Sequence, residues 1–349
     1  MKAADHPALK LFSELLAVPS PPGREERVAE IVRTHLSGMG YEHETDPAGN
    51  VLVRIDGADP EAPLAVLGAH MDEIAMVVVR IEPDGSLRMT NSGGLIPFKM
   101  GEGPVTIVGD GDATVTGVLS MGSTHAKGAA DRSPGWDDVK VITGLAPDEL
   151  SARGVRVGSS AVPVREGRGP FVLGDDADPL VAAWTFDDRM GVVGLLRLLE
   201  RMKADGITPP RPLIVAFTVH EEGGCHGAKV LCHREMPEIF VAVDGCPIPP
   251  GCPLEIDGRP GTWSKDADTN YDQRLVVQIC EAARAALTEM QVAVYTGAAS
   301  DAGRVYAVGG APRVAFIGHV RENSHGYEVA RLSVFDNVLE TLVEFVRII

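Results

Sequence analysis

The chain has 349 residues, of which 44% are apolar and 23% are charged, a composition typical of a globular protein. The length exceeds that of one ordinary domain, so we expect two domains or one large domain with an insert. The 32 basic and 49 acidic residues leave a formal net charge of -17, which argues against nucleic acid or an anionic membrane as a partner and suits metal ions or cationic groups.

The N-terminal residues predict a cytoplasmic location. Residues 1–12 have no apolar stretch preceded by basic residues, and nowhere in the chain do about 18 apolar residues follow one another. The five cysteines are odd in number, which favours reduced thiols. Cys225 and Cys232, like Cys246 and Cys252, are spaced more widely than the ligands of a zinc knuckle, so we expect them to be buried apolar side chains.

The predicted elements follow an α/β pattern at both ends of the chain. Apolar residues recur at helical spacing over 9–39 with a break at 19–23, and residues 50–55 and 63–67 read as strands. Short alternating, glycine-rich segments then predict strands at 76–81, 87–90, 105–108, 113–118 and 139–143. After residue 173 the pattern predicts helices at 189–202, 278–290 and 329–346, with strands at 213–219 and 239–243 between them.

These elements predict an α/β fold with a mostly parallel central sheet flanked by helices and a small inserted all-β domain. The predicted boundaries are 1–75 for the first part of the α/β domain, 76–171 for a β-barrel-like insert and 172–349 for the second part of the α/β domain. The loop at 122–138 is unusually polar for a β connection, and it is either an interface, a pocket lid or an ordinary exposed loop.

Imidazoles and carboxylates follow five of the predicted strands, where ligands gather in parallel α/β sheets. They are His70 and Asp72 after 63–67, Asp187 and Asp188 after 180–186, Glu221 and Glu222 after 213–219, Asp244 after 239–243, and His325 beyond 314–317. Each one alone also fits an ordinary loop residue, a solvated surface turn or, for the aspartates at 187 and 188, a helix cap. Their joint occurrence at five strand ends indicates one site.

Two histidines and three acids match the ligand count of two divalent metal ions roughly 3.5–4 Å apart that share a carboxylate and a water. Such ions lower the pKa of the shared water, polarise a carbonyl and stabilise the oxyanion. In the adjacent pair Glu221 and Glu222, one carboxylate can bind metal while its neighbour moves the proton. Gly223 and Gly224 end the strand and allow both to face the site. Asp72 suits the role of orienting the ring of His70.

The chain resembles the M42 metallo-aminopeptidase family, which holds the glutamyl and tetrahedral aminopeptidases. The resemblance covers nearly the whole chain, and its matching stretches are 68–74 (GAHMDEI), 186–189 (FDDR), 221–223 (EEG), 243–245 (VDG), 300–303 (SDAG), the end of the insert at 150–158, and His325.

This resemblance implies that His70, Asp187 and Asp244 bind one ion, and that Asp187, Glu222 and His325 bind the other. It also implies Glu221 as general base, Asp72 as the partner of His70, and a cis peptide bond between Asp187 and Asp188. The expected cofactors are two divalent ions per chain, zinc first, with cobalt or manganese as alternatives. The insert is expected to self-associate, and the protein to be a homo-oligomer between a dimer and a dodecamer.

Two departures from the family pattern bear on specificity. His220 precedes the glutamate pair where many relatives have Gln, and Gly326, Tyr327 and Glu328 follow His325 where the family continues with Ser and a hydrophobic residue or Pro. His220, Tyr327, Glu328 and Asp301 therefore either shape the substrate pocket or pack the surrounding loops.

The sequence as a whole predicts a metal-dependent aminopeptidase that removes N-terminal residues from peptides, with a metal-bridged water attacking the carbonyl and Glu221 as base. One alternative is a related zinc hydrolase, either an acyl-amino-acid deacylase or a carboxypeptidase, which would hold the substrate carboxylate with Arg or Lys. Another is a catalytically silent scaffold, against which the intact set of ligands and base argues.

Overall fold

The computed structural model describes residues 3–125, 133–174 and 177–349. The N-terminal part forms two helices and three strands: α1 (Pro7–Leu16), α2 (Glu26–Gly38), β1 (Glu44–Thr45), β2 (Val51–Ile55) and β3 (Ala65–His70). Both helices bury one apolar face, and the break between them falls at the predicted run of prolines and glycine. None of the helices in the described part of the chain combines the length and apolar character needed to cross a bilayer.

The following segment forms a closed antiparallel barrel. Its elements are β4 (Ala75–Ile81), β5 (Leu87–Ser92), α3 (Pro97–Met100), β6 (Gly103–Val108), β7 (Thr114–Ser120), β8 (Lys140–Ile142), α4 (Pro147–Ala152) and β9 (Ser160–Pro163). The strands close in the order β4-β5-β8-β7-β6-β9 around a separate apolar core. The predicted all-β insert is confirmed, although β9 was not among the predicted strands. Residues 126–132 of the polar loop lie outside the described residues.

The rest of the chain returns to alternating strands and helices. The elements are β10 (Phe171–Leu173), β11 (Leu180–Trp184), α5 (Phe186–Asp205), β12 (Leu213–Thr218), α6 (His226–Glu235), β13 (Ile239–Pro247), β14 (Pro260–Lys265), α7 (Gln273–Ala285), β15 (Gln291–Val294), α8 (Asp301–Ala307), β16 (Arg313–Arg321), β17 (Tyr327–Arg331) and α9 (Val334–Val346).

The main sheet has eight strands in the order β1-β2-β12-β3-β13-β16-β14-β15. The four central strands β12, β3, β13 and β16 run parallel to one another, whereas β1, β2 and the β14–β16 pair add antiparallel ladders. Helices cover both faces: α1, α2, α5 and α9 pack on one face, and α6 and α8 pack on the other. The predicted α/β class with a mostly parallel, helix-flanked sheet is confirmed.

Three predicted elements differ from the structure in ways that affect the site. The strand predicted at 180–186 ends at Trp184 and belongs to a separate antiparallel sheet, β10-β11-β17. The helix predicted at 329–346 begins only at Val334, because residues 327–331 pair with β11. The strand predicted to end at residue 243 continues through Asp244 to Pro247. In each case pairing with a strand distant in sequence overrides the local pattern. The domain boundaries at 75 and 171 stay a prediction.

Candidate metal centre

The carboxyl ends of the four central parallel strands meet at one edge of the sheet. His70 is the last residue of β3, and it lies in register with Thr218, the last residue of β12. Asp244 lies on the neighbouring strand β13, and β16 leads through residues 322–324 to His325. Because these strands are adjacent and parallel, their ends bring side chains from four distant stretches of sequence together.

The two glutamates lie on a tight turn between β12 and α6. The carbonyl oxygen of Glu221 accepts hydrogen bonds from the backbone N–H groups of Gly224 and Cys225 at 2.8 and 2.7 Å. Gly224 has φ of 120°, a conformation that glycine adopts without steric cost. The carboxylate of Asp72 accepts the backbone N–H of Glu221 at 2.9 Å and that of Glu222 at 3.0 Å. Asp72 therefore fixes the backbone of both glutamates.

Asp187 lies between two groups of potential metal ligands. Ligand atoms of His70, Asp187 and Asp244 lie within 4.8 Å of one another, and so do those of Asp187, Glu222 and His325. Nε2 of His70 is 2.9 Å from Oδ1 of Asp187, and Nε2 of His325 is 3.7 Å from both Oδ2 of Asp187 and Oε1 of Glu222. The structure thus brings together all five residues predicted to bind metal, with Asp187 common to both groups.

The donors also fit divalent cations electrostatically. Oε1 of Glu222 is buried and has no hydrogen-bond partner among the described residues, although it faces the ring of His325. Burial, followed by repulsion from Asp187, raises the pKa of Glu222 well above its usual range and that of Asp244 to about 7. Carboxylates that repel one another in a buried site are stabilised when a cation lies between them.

Asp187 itself is held as an anion. Burial favours its protonated form, but Arg321, His70 and His325 outweigh that effect and lower the pKa of Asp187 below its usual range. Glu328 links Asp187 to Arg321. Its Oε2 accepts a hydrogen bond from the backbone N–H of Asp187 at 2.9 Å, and its Oε1 accepts one from Nε of Arg321 at 2.7 Å. Arg321 and Glu328 are both buried, and Arg321 also contacts the carboxylate of Asp187.

Arg321 and the support of Asp187 by Glu328 were not predicted from the sequence. A buried basic residue at the end of an apolar strand, Arg321 after 314–320, is the one local signal that could have pointed to it. Nothing local indicates that its partner is Asp187, since 134 residues separate the two.

The barrel contributes the opposite wall of the site. A Cβ atom on Gly94 would lie 2.3 Å from Nδ1 of His325, and one on Gly93 would lie 2.8 Å from Oε2 of Glu222. Only residues without a side chain allow this loop after β5 to approach both groups so closely. The metal-ligand candidates therefore lie between the main sheet and the barrel, a placement that the sequence did not indicate.

His70 and Asp188 show how the region around the ligands is organised. Nδ1 of His70 is 3.1 Å from the carbonyl oxygen of Asp72 and 3.5 Å from its carboxylate, so both groups of Asp72 face the ring. The carboxylate of Asp188 accepts the backbone N–H of His70 at 3.1 Å. The predicted cis peptide bond between Asp187 and Asp188 is confirmed.

Besides Glu328, which supports Asp187, the other three candidate pocket residues occupy different places. Asp301 is buried beside Glu221. Ligand atoms of Asp301, Glu221 and Cys225 lie within 4.8 Å of one another. The ring of Tyr327 packs edge-on against Trp184, at the junction with the barrel. The ring of His220 lies against Gly23, and the backbone N–H of His220 donates to the carboxylate of Glu25 at 3.1 Å.

A large cleft of about 1080 Å³ opens beside the metal-ligand candidates. Its lining includes Pro247, three residues beyond Asp244, and Ser324, one residue before His325, so it adjoins both ligand groups along the chain. Its walls are mainly apolar or small, with Lys99 and Glu322 as the charged residues among those lining it: they include Pro247, Ile248, Pro249, Pro250, Pro253, Val292, Val294 and Tyr295.

The sequence of the chain matches the family model described as M42 glutamyl aminopeptidase over residues 49–340. The chain belongs to the M42 glutamyl aminopeptidase family. Members of this family are metallopeptidases that use divalent metal ions, which agrees with the two groups of potential metal ligands around Asp187.

Individual relatives agree with this assignment. The chain is 32% identical over 248 residues to SgcX of Escherichia coli (strain K12), covering 69% of this chain and 62% of SgcX. It is 28% identical over 248 residues to the glutamyl aminopeptidase of Lactococcus lactis subsp. cremoris (strain MG1363), covering 68% of this chain and 67% of that enzyme.

The fold recurs in the TET1 peptidase of Pyrococcus horikoshii, which can assemble into a tetrahedron or a large octahedral shell. The TM-score is 0.84 at 22% identity, and the match covers 98% of this chain and 100% of the TET1 chain.

Proposed function

We propose that this M42 family member is a metal-dependent aminopeptidase that uses two divalent ions per chain to remove N-terminal residues from peptides. The observation that carries the proposal is the position of Asp187, which is shared by two compact groups of ligand atoms. A single shared carboxylate between a His-Asp group and a Glu-His group is the donor arrangement of a two-metal hydrolytic site.

In this proposal His70, Asp187 and Asp244 hold one ion, and Asp187, Glu222 and His325 hold the other. Zinc suits the mixture of imidazole and carboxylate donors best, with cobalt or manganese as alternatives. Bound divalent ions would supply an acidified water and a Lewis acid for the scissile carbonyl.

Glu221 is proposed as the general base that accepts the proton of the attacking water and then donates it to the leaving amine nitrogen. Its side chain is 12% exposed, and its Oε2 lies 4.0 Å from Nε2 of His70, so it faces the ligand groups without belonging to either. Burial and the neighbouring charge of Glu222 raise the pKa of Glu221 well above its usual range, which favours a group that must both take up and release a proton. Asp72 is a positioning residue that holds the backbone of both glutamates.

The cleft beside the ligand groups is proposed to bind a substrate side chain. Its prolines, Val292 and Val294 favour an apolar substrate side chain, because their own side chains carry no hydrogen-bonding group. Glu322 lines the same cleft and supplies a carboxylate that a free α-amine could contact. His220, Asp301 and Tyr327, expected from the sequence to shape the pocket, lie outside this cleft lining in the described structure, and their part in specificity stays a prediction.

The alternative activity, hydrolysis of acyl amino acids or removal of C-terminal residues, needs a cation for the substrate carboxylate. Among the described residues that line the cleft, Lys99 is the one cation, and its Nζ donates to Oδ1 of Asn323 at 2.7 Å. Lys99→Met distinguishes the two activities. An aminopeptidase should keep its rate of amino-acid amide hydrolysis within about twofold of wild type. An enzyme that binds the substrate carboxylate with Lys99 should lose a contact worth about 1–3 kcal/mol, and its hydrolysis of N-acyl amino acids should fall strongly.

The barrel is proposed as a self-association module, with 76–171 as its boundaries and a homo-oligomer between a dimer and a dodecamer as the result. The support is the fold shared with a peptidase that forms tetrahedral and octahedral shells. Analytical ultracentrifugation of the full chain would test this, and a monomer at micromolar concentration would contradict it.

The central experiment measures metal and activity together. Purified protein should hold close to two divalent ions per chain by mass spectrometry, and chelation should remove them in parallel with hydrolysis of amino-acid amides. Restoring zinc, cobalt or manganese identifies the productive metal. Full activity of the metal-free protein would overturn the two-metal proposal, and hydrolysis of N-acyl amino acids in place of amides would select the alternative activity.

A further inference from the structure

We propose that Glu221, Cys225 and Asp301 form a third, inhibitory zinc site beside the two-metal centre. Their ligand atoms, a thiol sulfur and two carboxylate oxygens, lie within 4.8 Å of one another. None of the roles described above uses Cys225 or assigns a metal to this group. The inhibitory part of the proposal rests on the proposed role of Glu221 as base, whereas binding of the ion does not.

The three side chains are held facing one another. Sγ of Cys225 is 3.1 Å from Oε1 of Glu221, across the turn that carries the glutamate pair. Asp301, the first residue of α8, is fixed from the other side by Oγ1 of Thr218, which donates to its Oδ2 at 2.9 Å. This geometry places a soft sulfur donor and two hard oxygen donors around one point, and zinc accepts both kinds of ligand.

The charge balance of the group is also incomplete. Asp301 is 3% exposed, and its Oδ1 has no hydrogen-bond partner among the described residues apart from the weak donor of the Cys225 thiol. Its other oxygen, Oδ2, is held by the uncharged hydroxyl of Thr218. A buried carboxylate oxygen whose one partner is a weak thiol donor is costly, and a cation bound at this point would satisfy it.

Cys225 makes the group selective for soft ions. When a zinc ion binds, the S–H bond breaks, the sulfur keeps the electron pair as a thiolate ligand, and the proton passes to solvent. Calcium and magnesium, which prefer oxygen donors, gain nothing from the sulfur. Occupation should therefore follow the zinc or cadmium concentration and not that of calcium or magnesium.

The ion would inhibit because it engages Glu221. A carboxylate that coordinates a cation is held as the metal-bound anion and no longer accepts a proton from the attacking water. Excess zinc should thus lower turnover of protein whose two-metal centre is already loaded, without displacing the ions bound around Asp187.

The test compares wild type with Cys225→Ser and Cys225→Ala. Cys232→Ala is the control, because Cys232 is also buried, on the helix α6 that follows Cys225, but lies outside the group. Each protein is loaded with two equivalents of zinc and then titrated with zinc or cadmium. Cadmium should produce a thiolate charge-transfer absorption in wild type and in the control, and this band should be absent from both Cys225 variants.

Inhibition is read as the zinc concentration that halves each protein's own starting rate. Since groups outside the ligand set already change metal affinity by 10–100-fold, loss of the thiolate should raise this concentration at least about 100-fold. An unchanged cadmium band and unchanged inhibition in both Cys225 variants would overturn the proposal. If the cadmium band depends on Cys225 but the protein has no peptidase activity, the ion site is supported and only the proposed function is refuted.

Discussion

Replacing Glu221 with Gln tests the division of labour within the glutamate pair. Gln has nearly the same shape, and its side-chain oxygen can still accept the contact from Sγ of Cys225, so the turn should be preserved. What is lost is the ability to accept a proton. General bases contribute about 10²–10⁴-fold to rate, and the side chain of Glu221 is only 12% exposed, which limits replacement by bulk water. We therefore expect kcat to fall about 10³–10⁴-fold, or about 4–5.5 kcal/mol.

Glu222→Gln is the matched control, because Asp72 holds the backbone of both residues in the same way. Glu222 belongs to a ligand group and Glu221 does not belong to either group around Asp187. The assay measures kcat on an amino-acid amide together with bound metal per chain. Glu221→Gln should keep both ions at a greatly reduced kcat, whereas Glu222→Gln should lose about one ion, with added metal restoring part of its activity.

Two results would refute this reasoning. If Glu221→Gln loses an ion and Glu222→Gln does not, the two glutamates have exchanged roles. If Glu221→Gln keeps both ions and its full kcat, another group takes the proton, and Asp301 within the neighbouring group would be the next candidate.

The remaining predictions concern the site wall, the cleft and the buried ion cluster. Gly94→Ala should displace His325, which should lower kcat about 10–100-fold and weaken metal binding. Gly38→Ala is the control: a Cβ atom at Gly38 would have no other atom within 4 Å, so neither kcat nor metal binding should change. Val294→Asp should lower kcat/KM on leucine amide about tenfold relative to alanine amide, and an unchanged ratio would exclude the cleft as the side-chain pocket. Glu73 forms a buried ion cluster with Arg168 and Arg189, and Glu73→Gln leaves both arginines without their anion. The midpoint of thermal unfolding should therefore fall by about 5 °C, which corresponds to a loss of about 3–5 kcal/mol in the free energy of unfolding. An unchanged midpoint would mean that the cluster adds no stability.

Local patterns in the sequence were sufficient for most of the secondary structure. Helices α1, α2 and α5 and strands β2, β3 and β12 follow from apolar periodicity that a short segment contains by itself. The strand β17 and the helix start at Val334 did not follow, because pairing with β11 decides them and local propensity does not.

The chemical types at the candidate site were also readable from the sequence. His70, Asp187, Glu222 and His325 stood out because each follows an apolar run, and parallel strands place their ends at one edge. These runs were predicted to be strands of one sheet, but β11 belongs to another sheet, and Asp187 reaches the site from the start of α5.

The sequence by itself determined the α/β class, the all-β insert and the set of ligand-type residues, because hydrophobic periodicity and strand ends are local properties. Only the tertiary structure decided that Arg321 and Glu328 hold Asp187, that Asp72 holds the backbone of both glutamates, and that Gly94 of the barrel closes over His325. These contacts join stretches far apart in the chain, and which of them form depends on the packing of the whole sheet against the barrel, which no local pattern records.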